Sequence, residues 1–142
     1  MGFSVSGSAA LIFVAAFIGF GMFYSAAANS TELVNDARED RSDRQLERTN
    51  TEIDVTDVTY NAIAQYVNLT VENTGATELT VSDVDVLVDN SYQTGYRTAV
   101  EGDTATDLWL PGETLTINVT VGGTPSRVKL VTGPGVAATE VV

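Results

Sequence analysis

The sequence predicts an all-β, immunoglobulin-like sandwich preceded by one N-terminal transmembrane α-helix and a charged stalk. Three observations carry this expectation. The first 31 residues hold no charged side chain and include a 20-residue apolar run from Ala9 to Ala28. Thr31 to Thr49 is then dense in charge. Beyond Asn50 the apolar residues change to a period of two, the pattern of strands with one buried face. The expected divisions are residues 1–30 for the membrane helix, 31–51 for a charged helical stalk or linker, and 52–142 for the sandwich.

The apolar run, at about 1.5 Å per residue, covers roughly 30 Å as a helix, the thickness of a bilayer core. Leu11, Ile12, Phe13, Phe17, Ile18, Phe20 and Phe23 are the expected membrane-anchor residues. Phe23 and Tyr24 suit an interfacial aromatic belt, and Ala15 with Gly19 gives a small-xxx-small spacing that admits a second helix. Ala26, Ala27 and Ala28 resemble a signal-peptidase site. Such a signal needs a basic leading segment, and only the amino terminus precedes Gly2 and Phe3, so a retained helix is expected. Met1 to Ser6 also fits a myristoylation pattern, which would add little to so long an apolar anchor.

In the charged segment, Leu33, Val34, Ala37 and Leu46 are the only apolar side chains, and Asp40 to Arg44 is an acid-first i,i+4 pair. Continuation from the membrane helix would remove the nucleation cost of a solvated helix; a flexible charged linker is the alternative. Further on, Val67, Leu69 and Val71 alternate with polar residues, as do Val84, Val86 and Val88, and Leu115, Ile117, Val119 and Val121. Less regular strands are expected over Ile53 to Tyr60, Tyr92 to Val100 and Arg127 to Thr132. Turn chemistry punctuates them at Asn73-Thr74-Gly75, Asp89-Asn90, Pro111-Gly112-Glu113, Gly122-Gly123 and Gly133-Pro134-Gly135. Six or seven short strands pack most simply as two face-to-face sheets, with a small open barrel as the alternative.

Composition narrows the chemistry. Nineteen Asp and Glu against seven Lys and Arg give a net charge of -12, which repels nucleic acid phosphates. An excess of hydrated carboxylates with a single lysine, Lys129, is the surface expected of a halophile. With no Cys and no His, disulfides, imidazole bases, thiolate nucleophiles and thiolate zinc sites are excluded. Acidic groups remain: Asp83, Asp85 and Asp89 at even spacing on one expected strand, and Glu101, Asp103 and Asp107 in a loop. Neither group matches a calcium loop, so both are expected to be solvated, with no metal, no cofactor and no catalytic residues. The chain is not expected to be an enzyme.

Three N-glycosylation sequons begin at Asn29, Asn68 and Asn118. Asn68 and Asn118 fall on the polar phase of their strands, so both should point outward. Trp109, in Leu108-Trp109-Leu110-Pro111-Gly112-Glu113, is a candidate partner contact, because Trp is enriched at interface hot spots; a core position is the competing expectation. Tyr92 and Tyr96 join it as aromatic candidates for a homodimer contact. Arg38, Arg41, Arg44 and Arg48 just past the apolar run argue for a cytoplasmic domain, the sequons for an exterior one.

The opening Met1 to Ala10, the uncharged helix ending in Gly21-Met22-Phe23-Tyr24, the acidic stalk before a Thr- and Val-rich sandwich, and the Leu108 to Glu113 turn resemble the haloarchaeal FlaF family of archaellum accessory proteins. The resemblance spans essentially the whole chain. It implies a motor stator component, single-pass in the cell membrane, whose exterior domain binds the S-layer protein and transmits torque to the envelope. It also implies a FlaG-like archaellum protein as partner and no catalysis. Archaellins and pilins also begin with Gly and a long apolar helix, after a basic leader, so an archaellin/pilin-like or FlaG-like filament subunit is the main alternative. A generic membrane-anchored adhesion domain is a further one.

Overall fold

A computed structural model describes residues 3–142, with side chains from Ser6 onward; the Met1-Gly2 opening of the myristoylation pattern lies outside the described residues. One helix, α1 (Phe3–Asn50), is followed by ten strands. These are β1 (Ile53–Asn61), β2 (Tyr66–Asn73), β3 (Leu79–Thr80), β4 (Asp85–Val88) and β5 (Ser91–Gln93). The rest are β6 (Tyr96–Val100), β7 (Leu108–Trp109), β8 (Thr114–Thr120), β9 (Arg127–Val131) and β10 (Ala137–Val141). By its internal contacts the chain divides into two units, Met1–Asp43 and Arg44–Val142.

The first unit is helix throughout its described length. Its apolar residues stay exposed: Phe17 is 79% and Phe23 71% accessible. α1 is long and apolar enough to cross a membrane. The charged side chains of this helix are exposed as well.

The second unit is an antiparallel β-sandwich. One sheet has the order β1-β2-β8-β6, the other β10-β9-β4-β5, and β3 pairs with β7 in a small third sheet. In β2 and β8 alternation decides the register: Val67 lies opposite Val119, Leu69 opposite Ile117 and Val71 opposite Leu115. All six are essentially inaccessible. From the second sheet Val86, Val88, Val128 and Leu130 close the core. A one-residue slip in any of these strands would turn its whole apolar row to water, so the pattern fixes the register. A bulge between Val55 and Asp57 bends β1, and the Thr56 hydroxyl donates to the Thr70 carbonyl at 3.2 Å.

Several elements differ from the sequence expectation. The segment from Tyr92 to Val100 is not one strand; β5 and β6 belong to different sheets, and the chain crosses between them at Thr94-Gly95. The Tyr96 hydroxyl secures this crossing by donating to the Val84 carbonyl. Asp83, Asp85 and Asp89 do not share a strand: Asp83 ends a short 3-10 helix (Val81–Asp83), Asp85 begins β4, and Asp89 occupies a turn with φ 49°. With Asn90 at φ 67°, this is a two-residue hairpin of the kind whose twist matches its strands. The two-residue strands β3 and β7 are too short for periodicity to reveal. β10 follows the Gly133-Pro134-Gly135 turn and pairs along β9 despite an exposed, mixed sequence.

Candidate functional site

The features that can carry function are the place where α1 enters the sandwich and the two outer sheet faces. The last turn of α1 has no glycine cap, and its carbonyls are satisfied instead by the chain around the β2–β3 turn. The Thr51 and Thr77 hydroxyls both donate to the Glu47 carbonyl, at 2.8 and 3.3 Å, and the Ala76 amide donates to the Asn50 carbonyl at 2.8 Å. The amides of Thr74 and Gly75 both donate to the Glu52 carbonyl, at 3.0 and 2.9 Å. Only glycine permits this approach: a Cβ on Gly75 would lie 2.5 Å from the Glu52 nitrogen and 2.6 Å from the Asn50 oxygen.

Asn73 organises the turn from the core side. It is fully buried, and its side-chain nitrogen donates to the carbonyls of Thr77 at 2.9 Å and Trp109 at 3.2 Å. Its side-chain oxygen accepts from the Gly75 amide at 3.2 Å. The segment Leu108 to Glu113 is the counterpart. The Trp109 indole donates to the Glu113 carbonyl at 2.9 Å, the Leu110 amide donates to the Glu113 carboxylate at 2.8 Å, and Gly112, at φ 82°, donates its amide to the Asn73 carbonyl at 2.7 Å. Among the described residues no buried polar side-chain atom lacks a partner. Trp109 is 0% exposed, which corrects its candidacy as a partner contact: the ring fills the core behind the junction, where its size contributes more than on the surface. Sequence reasoning named the turn at Asn73 and the turn at Pro111; that they lock to each other and to the end of α1 had no local signal.

The outer face of β1-β2-β8-β6 is polar. Asn68 and Asn118 are directly opposite each other in the ladder, and the Asn118 side-chain nitrogen donates to the Asn68 side-chain oxygen at 3.0 Å. Asn118 is exposed and Asn68 half-buried; Asn29 lies exposed on α1. The outer face of β10-β9-β4-β5 places Leu87 and Lys129 side by side, flanked by the 59% exposed Tyr92 and by Thr139. The Asp85 carboxylate, by hydrogen bond and by charge, holds the Tyr92 hydroxyl above its ordinary pKa; burial does the same for Tyr96, with smaller contributions from Tyr92 and Asp85.

Carboxylates that could have gathered around a cation are spent on turns. Asp107 accepts from the Ser82 amide at 2.7 Å and hydroxyl at 2.8 Å, Asp103 from the Ala105 amide at 2.8 Å, and Glu101 from the Thr114 amide at 2.7 Å. No three such groups converge on a metal-sized site among the described residues. An open cleft of about 620 Å³ is lined by Arg44, Glu47, Glu78, Ser82, Asp83 and Asp85 among others.

Taken together, these features define a helix-borne β-sandwich whose helix end is built into the sandwich. The family model for archaeal-type flagellin matches residues 2–141, and the chain belongs to that family, as a component of the archaellum. No curated protein matches it. Among solved structures it is similar to the archaellum periplasmic stator protein FlaG from Sulfolobus acidocaldarius, with TM-score 0.49 and 15% identity over 65% of this chain and 99% of that one. It is also similar to the archaellum periplasmic stator protein complex FlaF and FlaG from Sulfolobus acidocaldarius, with TM-score 0.48 and 17% identity over 65% of this chain and 89% of that one.

Proposed function

We propose that this chain is a stator component of the archaellum motor, single-pass in the cell membrane, with its sandwich on the exterior side holding the S-layer. Leu11, Ile12, Phe13, Phe17, Ile18, Phe20 and Phe23 are exposed on α1 and form the anchor. Each apolar side chain moved from water into lipid contributes about 1.5–3 kcal/mol, so the helix resists extraction. The charged half of α1 is the stalk, and the sandwich is a mechanical module without catalytic chemistry. A FlaG-like archaellum protein is the expected partner in the motor.

The observation that carries this reading is the junction. A stator must pass reaction torque between an anchor and a stationary structure, and a freely jointed connection would dissipate it. Here the carbonyls of Glu47 and Asn50, at the end of α1, are bonded to Thr77 and Ala76 after β2, and the Gly75 backbone packs directly against Asn50 and Glu52. The test is motility after insertion of a flexible Gly-Ser segment between Asn50 and Glu52. Assembled filaments with lost swimming are expected; normal swimming would exclude the role. Sedimentation of the full chain, in nanodiscs of zwitterionic lipid, with isolated S-layer sheets tests the external partner directly.

A filament subunit is the second reading, and the span of the archaeal-type flagellin model over residues 2–141 favours it. A subunit would be recovered in stoichiometric amounts in filaments sheared from cells, whereas a stator would stay with the cell envelope.

A further inference from the structure

We infer that the outer face of the β10-β9-β4-β5 sheet, centred on Arg127 and Lys129, is a docking surface for an acidic protein of the cell envelope. This rests on the reading of the sandwich as a module that holds an external partner. Arg127 and Lys129 alternate with the buried Val128 and Leu130, so both point to the same outer face. The ladder sets Thr139, Lys129, Leu87 and Tyr92 in one row across all four strands, with Val141 opposite Arg127 beside it.

The charge of this face runs against the rest of the molecule. In a chain of net charge -12, Arg97, Arg127 and Lys129 are the only cations after residue 48. Two of the three stand together, and neither has an ion pair among the described residues. Of the acidic groups nearest in the chain, Asp89 accepts from the Ser126 and Arg127 amides at 3.0 and 3.1 Å, and Asp85, on this same outer face two residues before Leu87, acts on the Tyr92 hydroxyl, so the two cations outnumber the one carboxylate among the outward positions of β4 and β9. The opposite outer face carries Asp54, Asp57 and Glu72.

Two cations without ion pairs on one face present a charge that an acidic partner complements. Around the cations, Leu87, the 59% exposed Tyr92 and the 75% exposed Val141 offer apolar area, and a shallow depression of about 140 Å³ lies between Leu87, Asn90, Arg127, Lys129 and Thr139. A central aromatic and aliphatic group beside arginine is the composition of an interface centre. An acidic protein surface with exposed aliphatic side chains satisfies both features. An anionic membrane fits poorly, because two cations contribute only about 1 kcal/mol each near a lipid surface against the field of the whole chain.

The test uses the full chain in zwitterionic-lipid nanodiscs and isolated S-layer sheets as the probe, with R127E/K129E on the proposed face and D54K/D57K on the opposite one. Trp109 fluorescence melts confirm that each variant folds. The expected result is a loss of about tenfold or more in affinity for R127E/K129E and none for D54K/D57K. Wild-type affinity in R127E/K129E overturns the inference. If the wild type itself does not bind the sheets, the S-layer reading fails, and a photo-crosslinking residue at Thr139 in living cells decides this one. An adduct with another acidic envelope protein, lost in R127E/K129E, sustains the docking face. An adduct that persists in R127E/K129E, an adduct with lipid or with a second copy of the chain, or no adduct, overturns it.

Discussion

The side-chain amide of Asn73 donates a 3.2 Å hydrogen bond to the carbonyl of Trp109, 36 residues later in the chain. This bond joins the turn that receives α1 to the turn that closes β7 onto β8. Replacing Asn73 with Leu removes the donor and leaves the Thr77 and Trp109 carbonyls without their side-chain partner. Each buried polar group left unpaired costs about 1–3 kcal/mol, so N73L should lower stability by roughly 2–5 kcal/mol. Urea unfolding followed by fluorescence of the single Trp measures it; an unchanged midpoint would refute the assigned role.

Gly75→Ala tests the helix entry. The added Cβ meets backbone, which cannot swing away as a side chain can, so the turn must separate from Glu52 and Asn50. A cost of about 2–3 kcal/mol is expected, in the range of an overpacked site. Amide exchange should quicken at Thr74, Gly75 and Ala76, whose hydrogen bonds hold the junction, while Val119 in the centre of β8 keeps its protection.

Trp109→Phe retains an aromatic ring but deletes the bond from the indole to the Glu113 carbonyl. The smaller ring and the lost bond together should destabilise by about 1–3 kcal/mol. Wild-type Trp109 should emit at the short wavelength of a dry environment and shift red on unfolding.

Tyr92 and Tyr96 give the alkaline limit of stability. Both are held above the usual tyrosine value near 10. A folded-state pKa above the unfolded one contributes stability that is complete below the unfolded value and is lost as pH rises through the folded one. Stability should therefore decline from about pH 10 upward. Asp85→Asn should bring the Tyr92 titration, read by ¹³C NMR of the ring, back down, and should move Tyr96 in the same direction by a smaller amount.

Salt dependence follows from composition. With net charge -12, stability should rise as added salt screens carboxylate repulsion. Melting temperatures measured from low to multimolar salt would test this, and a flat profile would count against the halophilic surface.

The sequence by itself determined the apolar helix, because a 20-residue uncharged run with a single serine, Ser25, admits few other uses, and the β2, β4 and β8 core, because a period of two has only one buried phase. It also determined that Asn68 and Asn118 fall on the polar phase. Tertiary structure decided the rest. Thr94-Gly95 sends the chain from one sheet to the other because two sheets must close over a shared core, and no local pattern distinguishes that crossing from a bend in one strand. Trp109 lies inward because β7 pairs with β3 and turns the ring into the core, where its indole finds the Glu113 carbonyl. The end of α1 has no local stop signal at Asn50; its carbonyls are capped by residues around the β2–β3 turn. Likewise, the row of Lys129, Leu87 and Tyr92 exists only once β9, β4 and β5 lie in register. Periodicity reports which side of a strand is buried, whereas neighbours across strands are set by long-range closure.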